Sequence, residues 1–203
     1  MRRPLFLVLV WIPAVTAAPR TFSIDGNAST AAAQVGKTGL GSFAGHEHLV
    51  LAQNVQGEVV LDPDDLARSS VDLIVDARSL KVSPEGEPEG DAPKVQQVMR
   101  GPDVLDSGRF GTIHFGSTTV SGKQISPGVF DLSVAGELSL HGVVKSLTLP
   151  VHVEVQGASL TASGKFSLKQ TEFGIEPTSA AGGLVKVADE VAMTFRLTAR
   201  AAQ

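Results

Sequence analysis

The chain has 203 residues, 17 basic against 21 acidic side chains, and no cysteine. That balance excludes the basic footprint of a nucleic-acid binder and the polybasic patch of a protein held on an anionic membrane. The lack of thiols excludes disulfide scaffolding, thiol catalysis, Cys-ligated metal sites and a lipid-modified N-terminal Cys.

The N-terminus reads as a signal peptide over residues 1–17. Arg2 and Arg3 precede an apolar run from Leu5 to Val15, which is too short to span a bilayer, and Val15-Thr16-Ala17 offers small or modest residues at the cleavage positions. Cleavage after Ala17 leaves one domain, 18–203, with no stable membrane anchor and a periplasmic or secreted location. Monomer and homodimer both remain open.

Beyond residue 18 the dominant period is two. Candidate strands come in chain order at Thr21–Asp25, Ser29–Gly36, Val55–Leu61, Val71–Val75, Phe110–Val120, Phe130–Leu140, Val144–Val155, Leu160–Leu168 and Val191–Leu197. The run after Ser146 is the clearest. Leu147, Leu149, Val151, Val153 and Val155 alternate with Thr148, His152 and Glu154, which is a strand with one apolar face. Turn signals stand at Asp62-Pro63-Asp64, Ser121-Gly122-Lys123, Ser126-Pro127-Gly128 and Gln156-Gly157. Close spacing of the strands reads as an all-β antiparallel meander, which leaves a sandwich or a closed barrel; the length of strands such as Val144–Val155 favours an up-and-down barrel.

Three segments break the alternation. Lys37–Ala52 is expected to hold a short helical turn. Ser83–Ser107 starts as a flexible surface loop over Pro84–Pro93 and continues into a short helix at Lys94–Arg100. Gln170–Glu190, rich in Gly, Ser and Ala, is expected to cross one end of the barrel.

Four stretches in order carry a family resemblance: Ser70–Ser79; Val104–Phe115; Gly136-Glu-Leu-Ser-Leu-His-Gly-Val-Val-Lys-Ser-Leu-Thr-Leu-Pro150; and Phe173-Gly-Ile with Val185–Val191. Together they resemble the YceI-like lipid-binding family, with Gly111 where that family usually has Pro. The resemblance implies an extended, lipocalin-like barrel of eight strands, with short helical segments in its long loops. It also implies a lumen holding a polyisoprenoid or other long apolar chain, no cofactor and no enzymatic activity.

The residues themselves offer an alternative. His46 and His48 share a face in an extended segment and could hold Zn²⁺ or Cu²⁺ with Glu47 or His141, which would make a metal-binding protein, hydrolase or isomerase; two imidazoles alone are an incomplete shell. His114 and His152 fall on outward strand positions. There is no Gly-x-Ser-x-Gly elbow. Asp62, Asp64 and Asp65 read as turn residues.

The inward stripes are the candidate binding surface. They comprise Val71, Leu73 and Val75; Ile113 and Phe115; Leu132, Val134 and Leu138; Leu149 and Val151; and Phe166, Val191 and Phe195. A filled core and a cavity both fit them. Aromatic residues make up 5% of the chain, and Ala135, Gly136, Ala162, Gly164 and Ala192 are interspersed, which favours a cavity. A third reading, a structural protein with a solid core, stands beside the lipid carrier and the His-dependent protein.

Overall fold

The computed structural model describes residues 18–39, 47–180 and 185–201. The expected signal peptide and His46 lie outside these residues.

The described residues form one antiparallel sheet that closes on itself. Its strands are β1 (Arg20–Ile24), β2 (Thr30–Thr38), β3 (His48–Ala52), β4 (Gln56–Leu61), β5 (Ser70–Asp76), β6 (Lys81–Val82), β7 (Thr112–Ser126), β8 (Val129–Leu140), β9 (Val143–Gln156), β10 (Ser159–Lys169), β11 (Ser179–Ala180) and β12 (Val185–Ala201). Among the described residues the one α-helix, α1 (Ala92–Arg100), lies between β6 and β7. No helix among the described residues is long and apolar enough to cross a membrane.

The pairings reduce these strands to eight staves. β1 pairs with β4 and β2 with β3; β4 pairs with β5 and β3 with β6. Hence β1–β2, β3–β4 and β5–β6 are three bent staves. β7, β8, β9, β10 and β12 are the five long ones, and β12 returns to β1 and β2 to close the ring. This is the up-and-down barrel that the strand lengths favour over a sandwich and that the family resemblance implies.

The three bends stand side by side. The hydroxyl of Ser79 donates to the carbonyl of Gln53 at 3.0 Å, linking the third bend to the second. A Cβ on Gly26 would meet the carbonyl of Val55 at 2.8 Å, so the first bend lies against the second just as closely. On the edge of β12 the gap between β1 and β2 is spanned by Ser29. Its hydroxyl donates to the Asp25 carbonyl at 2.8 Å and accepts from the Thr198 N–H at 3.0 Å, which keeps a buried backbone group satisfied where the ladder breaks.

Four differences from the sequence reading have physical causes. Ser121-Gly122-Lys123 is no turn: β7 runs through it, because Gly122 adopts a φ of 140° with its backbone pressed against Asp131. The connection after β10 is shorter than expected, since β12 begins at Val185. His48–Ala52, at the end of the stretch that breaks the alternation, is a strand, and most of the rest of that stretch, where the sequence predicts a helical turn, lies outside the described residues. The Pro84–Pro93 stretch is not freely solvated: Glu87 turns inward, its side chain 1% exposed, and accepts a hydrogen bond from His48 Nδ1 at 2.6 Å. The expected helix at 94–100 is present and starts two residues earlier, at Ala92, with Pro93 in its first turn. Asp62 shapes its turn as expected, its Oδ1 accepting the N–H groups of Asp64 and Asp65.

The barrel has a sealed end. Phe22, Phe130, Leu160 and Ala199 are at most 2% exposed and fill it. At the other end the β9–β10 ladder stops at His152↔Ser163, two residues from Pro150, which has no N–H to donate. Residues 170–175 fold back there, with Phe173 and Ile175 buried and the Phe173 carbonyl accepting from His141 Nδ1 at 3.1 Å.

The strand through Gly122 supplies a test of the fold. A Cβ there would stand 2.3 Å from the Asp131 carbonyl, whereas at Gly157, with a φ of 59°, nothing lies within 4 Å. Gly122→Ala should cost about 3 kcal/mol by urea denaturation, and Gly157→Ala about 1 kcal/mol. Equal costs would show that β7 is not continuous at Gly122.

Candidate functional site

The alternation that makes the strands also makes the cavity. Along each stave every second residue turns to the axis, and these side chains enclose an apolar space of about 180 Å³. β5 contributes Val71, Leu73 and Val75, and β7 contributes Ile113 and Phe115. β8 contributes Leu132, Val134 and Leu138, β9 Leu149 and Val151, and the last two staves Phe166 and Phe195. Every residue of the expected inward stripe lines this space except Val191. That side chain is buried, but it stands above the cavity, paired to Leu168 on one side and Val35 on the other.

Other walls went unread in the sequence: Val55 and Leu61 of the bent staves, Val120 beyond the β7 bulge, and Leu147, Val153 and Met193. Period two does reach Leu147, Val153 and Met193. Val120 is out of step with Phe115 because the register shifts between Ser117 and Thr119, and a bulge of this kind leaves no mark in the alternation.

The small residues play a different part from the one expected. A Cβ on Gly136 would meet the Phe115 ring at 2.6 Å, and one on Gly164 would meet the Phe195 ring at 2.6 Å. These glycines make room for aromatic rings rather than for a ligand. Ala135 and Ala192 lie on the outer face by strand parity, Ala192 exposed. Only Ala162 of the five lines the cavity. The space exists because the barrel's circumference exceeds what its mainly Val and Leu lining fills.

The described histidines are held singly. His48 is bonded to Glu87, and His141 occupies the two-residue turn between β8 and β9 at a φ of 53°, its ring edge-on to Phe110 at 4.8 Å. His114 contacts Asp72 at 2.9 Å and His152 contacts Asp131 at 2.7 Å, both on the outer face. Among the described residues no three metal-ligating side chains converge.

The Asp131 hydrogen bond holds the His152 imidazole above its ordinary value of 6.5, with Glu154 adding to the effect. A raised folded value means that this contact favours the fold below pH 6.5 and that the gain is lost as pH rises through the folded value. Proton NMR titration should therefore place the His152 midpoint above 6.5 and bring it back down in Asp131→Asn. An unmoved midpoint in the variant would exclude the contact.

The model of a YceI-like domain matches residues 22–199. A UPF0312 protein of Vibrio vulnificus is 34% identical over 93 residues, covering 46% of this chain and 43% of that protein; one of Vibrio cholerae is 30% identical over 132 residues, covering 61% and 62%. The chain thus spans less than half the length of the first of these relatives. Among solved structures, BcnA of Burkholderia cenocepacia superposes with a TM-score of 0.65 at 21% identity, covering 86% of this chain and 98% of that one. A polyisoprenoid binding domain from Saccharophagus degradans superposes with a TM-score of 0.62 at 14% identity, covering 89% and 98%. At these identities the structures show a shared fold.

Proposed function

The chain belongs to the YceI-like family, and from that premise we propose that it is a binding protein for an isoprenoid or other long apolar chain, held inside the barrel, and not an enzyme. The observation that carries this reading is the wall of the cavity. It is built from Val, Leu, Ile and Phe of β5, β7, β8, β9, β10 and β12, with hardly a polar atom facing in. The lining includes no Asp, Glu, His, Lys or Arg to serve as an acid or a base. It does offer about 0.8 kcal/mol for each CH₂ removed from water. The polyisoprenoid binding domain of Saccharophagus degradans, named for its ligand, has the same fold.

Export belongs to the same proposal and is supported by the Arg2-Arg3 start, the Leu5–Val15 apolar run and the Val15-Thr16-Ala17 site. N-terminal sequencing of protein expressed with its leader should read Ala18 first; intact Met1 in the mature product would overturn it.

Ligand binding is tested from inside. Ala162 lines the cavity on β10 and is 8% exposed. Ala162→Phe should fill part of the space and lower the affinity for a fluorescent isoprenoid analogue at least tenfold, with the delipidated fold nearly as stable as before. In a solid core the same change would overpack and cost about 1–3 kcal/mol. Loss of stability together with no analogue binding in the wild type would refute the carrier reading.

A further inference from the structure

Around the lumen, among the described residues, the staves are laddered to their neighbours at every joint but one. β1 pairs with β4, β4 with β5, β5 with β7, β7 with β8 and β8 with β9, and β10 pairs with β12 along its whole length. Between β9 and β10 the ladder runs only from Ser159↔Gln156 to Ser163↔His152. Beyond that point the two strands part. Residues 143–151 of β9 remain paired to β8, and residues 164–169 of β10 remain paired to β12, with no ladder to each other. The parting starts where local chemistry requires it. Pro150 has no N–H to give to β10, and its carbonyl lies so close to Gly164 that a Cβ there would collide with it. The split is in the lumen wall: Leu147 and Leu149 on one edge and Phe166 on the other line the apolar cavity.

Residues 170–175 span the wide end of the split. They leave the end of β10, pass through a 3₁₀ turn at Gln170–Phe173 and reverse at Gly174, whose φ is 72°. Phe173 and Ile175 are 1% and 3% exposed, so the segment turns its apolar side chains inward. Its two sides are fastened differently. Toward β12, Gln170 Nε2 donates to the Ala188 carbonyl at 2.8 Å, and the Thr171 N–H and hydroxyl donate to the Asp189 carboxylate at 2.9 and 2.8 Å. Toward β9, His141 Nδ1 donates to the Phe173 carbonyl at 3.1 Å. The first set of bonds makes a hinge, and the second makes a latch.

These features bear on how a chain reaches the lumen. Phe22, Phe130, Leu160 and Ala199 seal one end. Parting a laddered joint would break a row of backbone hydrogen bonds and leave each donor and acceptor without its partner. At the split that ladder is already missing, so opening needs only the segment 170–175 to swing off its latch. We propose that the β9–β10 split is a side door. An apolar chain enters and leaves the lumen between these two staves, with residues 170–175 as the flap and His141 as its latch. The inference rests on the carrier reading above and adds the route by which the barrel is filled.

The test follows a fluorescent fifteen-carbon isoprenoid analogue into and out of delipidated full-length mature protein by stopped flow. His141→Asn tolerates the positive φ of that turn and is too short to hold Phe173. It should raise the entry and exit rates together, at least fivefold, with the Kd within about twofold of the wild type; a change in lumen packing would move the Kd. A second variant locks the flap. A Cβ on Gly174 stands 4.0 Å from Val143 Cγ2, near enough for a disulfide in Val143→Cys combined with Gly174→Cys, and the chain has no cysteine of its own. Oxidised, this variant should exchange the analogue at least tenfold more slowly than when reduced. Equal rates in the oxidised and reduced forms would overturn the side door and leave the carrier standing. If the pair does not bridge, His141→Asn decides alone, and unchanged rates in that variant would overturn the door. If the wild type binds no analogue, the carrier reading falls and the side door with it.

Discussion

Closure of the sheet is the constraint on which the rest of this structure depends. β12 runs from Val185 to Ala201 with β10 along one edge, and the other edge must be covered by two shorter strands, β1 near its end and β2 further back. The join between them would expose ladder groups in a buried place, and the Ser29 hydroxyl fills it by serving Asp25 and Thr198 together. Because β1–β2 bends there, its neighbours bend with it, at Asn54 with a φ of 57° and at the 3₁₀ turn Ala77–Ser79. The barrel consequently has two levels. Below the bends eight staves enclose a uniformly apolar lumen. Above them β2, β3 and β12 together with α1 line a chamber with a polar edge.

Within the lumen the packing is a compromise between filling and room. Phe115 and Phe195 take the volume left by Gly136 and Gly164, so each large ring is matched to a missing side chain on a neighbouring stave. Phe166 and Phe195 stand 6.5 Å apart at 59°, a tilted pair that leaves space beside it rather than closing the channel. At the sealed end Phe22, Phe130 and Leu160 meet with no such gaps. The lumen is therefore solid at one end, and the upper chamber lies beyond the other.

How much of this could be read from the sequence follows from which constraints are local. Alternation is local, and it located every long stave, though it stopped β7 at Val120 instead of Ser126 and started β12 at Val191 instead of Val185; it also put Val71, Leu73, Phe115, Leu132, Val151 and Phe195 on the cavity wall. Bends and bulges depend on partners far along the chain. Nothing near Gly122 distinguishes a turn from a strand that must press against Asp131. The shift at Ser117–Thr119 that turns Val120 inward is set by β8. The Glu-rich composition of Pro84–Pro93 suits solvent, yet Glu87 is buried because His48, 39 residues earlier, waits opposite it. The family's four sequence stretches reached further than periodicity because such stretches carry long-range packing in a form that a single strand cannot.

An apolar wall is a poor judge of identity. Each methylene contributes much the same wherever it lies, so a lumen of Val and Leu measures length and girth and little else. Discrimination has to come from places where a wrong group is penalised, by a clash or by a polar atom left without a partner. In this barrel those places are the sealed end, which would limit the length of any occupant, and the level of the bends and above, where side chains with specific hydrogen-bonding needs first appear. The bends that let the sheet close also separate two kinds of surface along the barrel, a purely apolar wall on one side of them and polar side chains on the other.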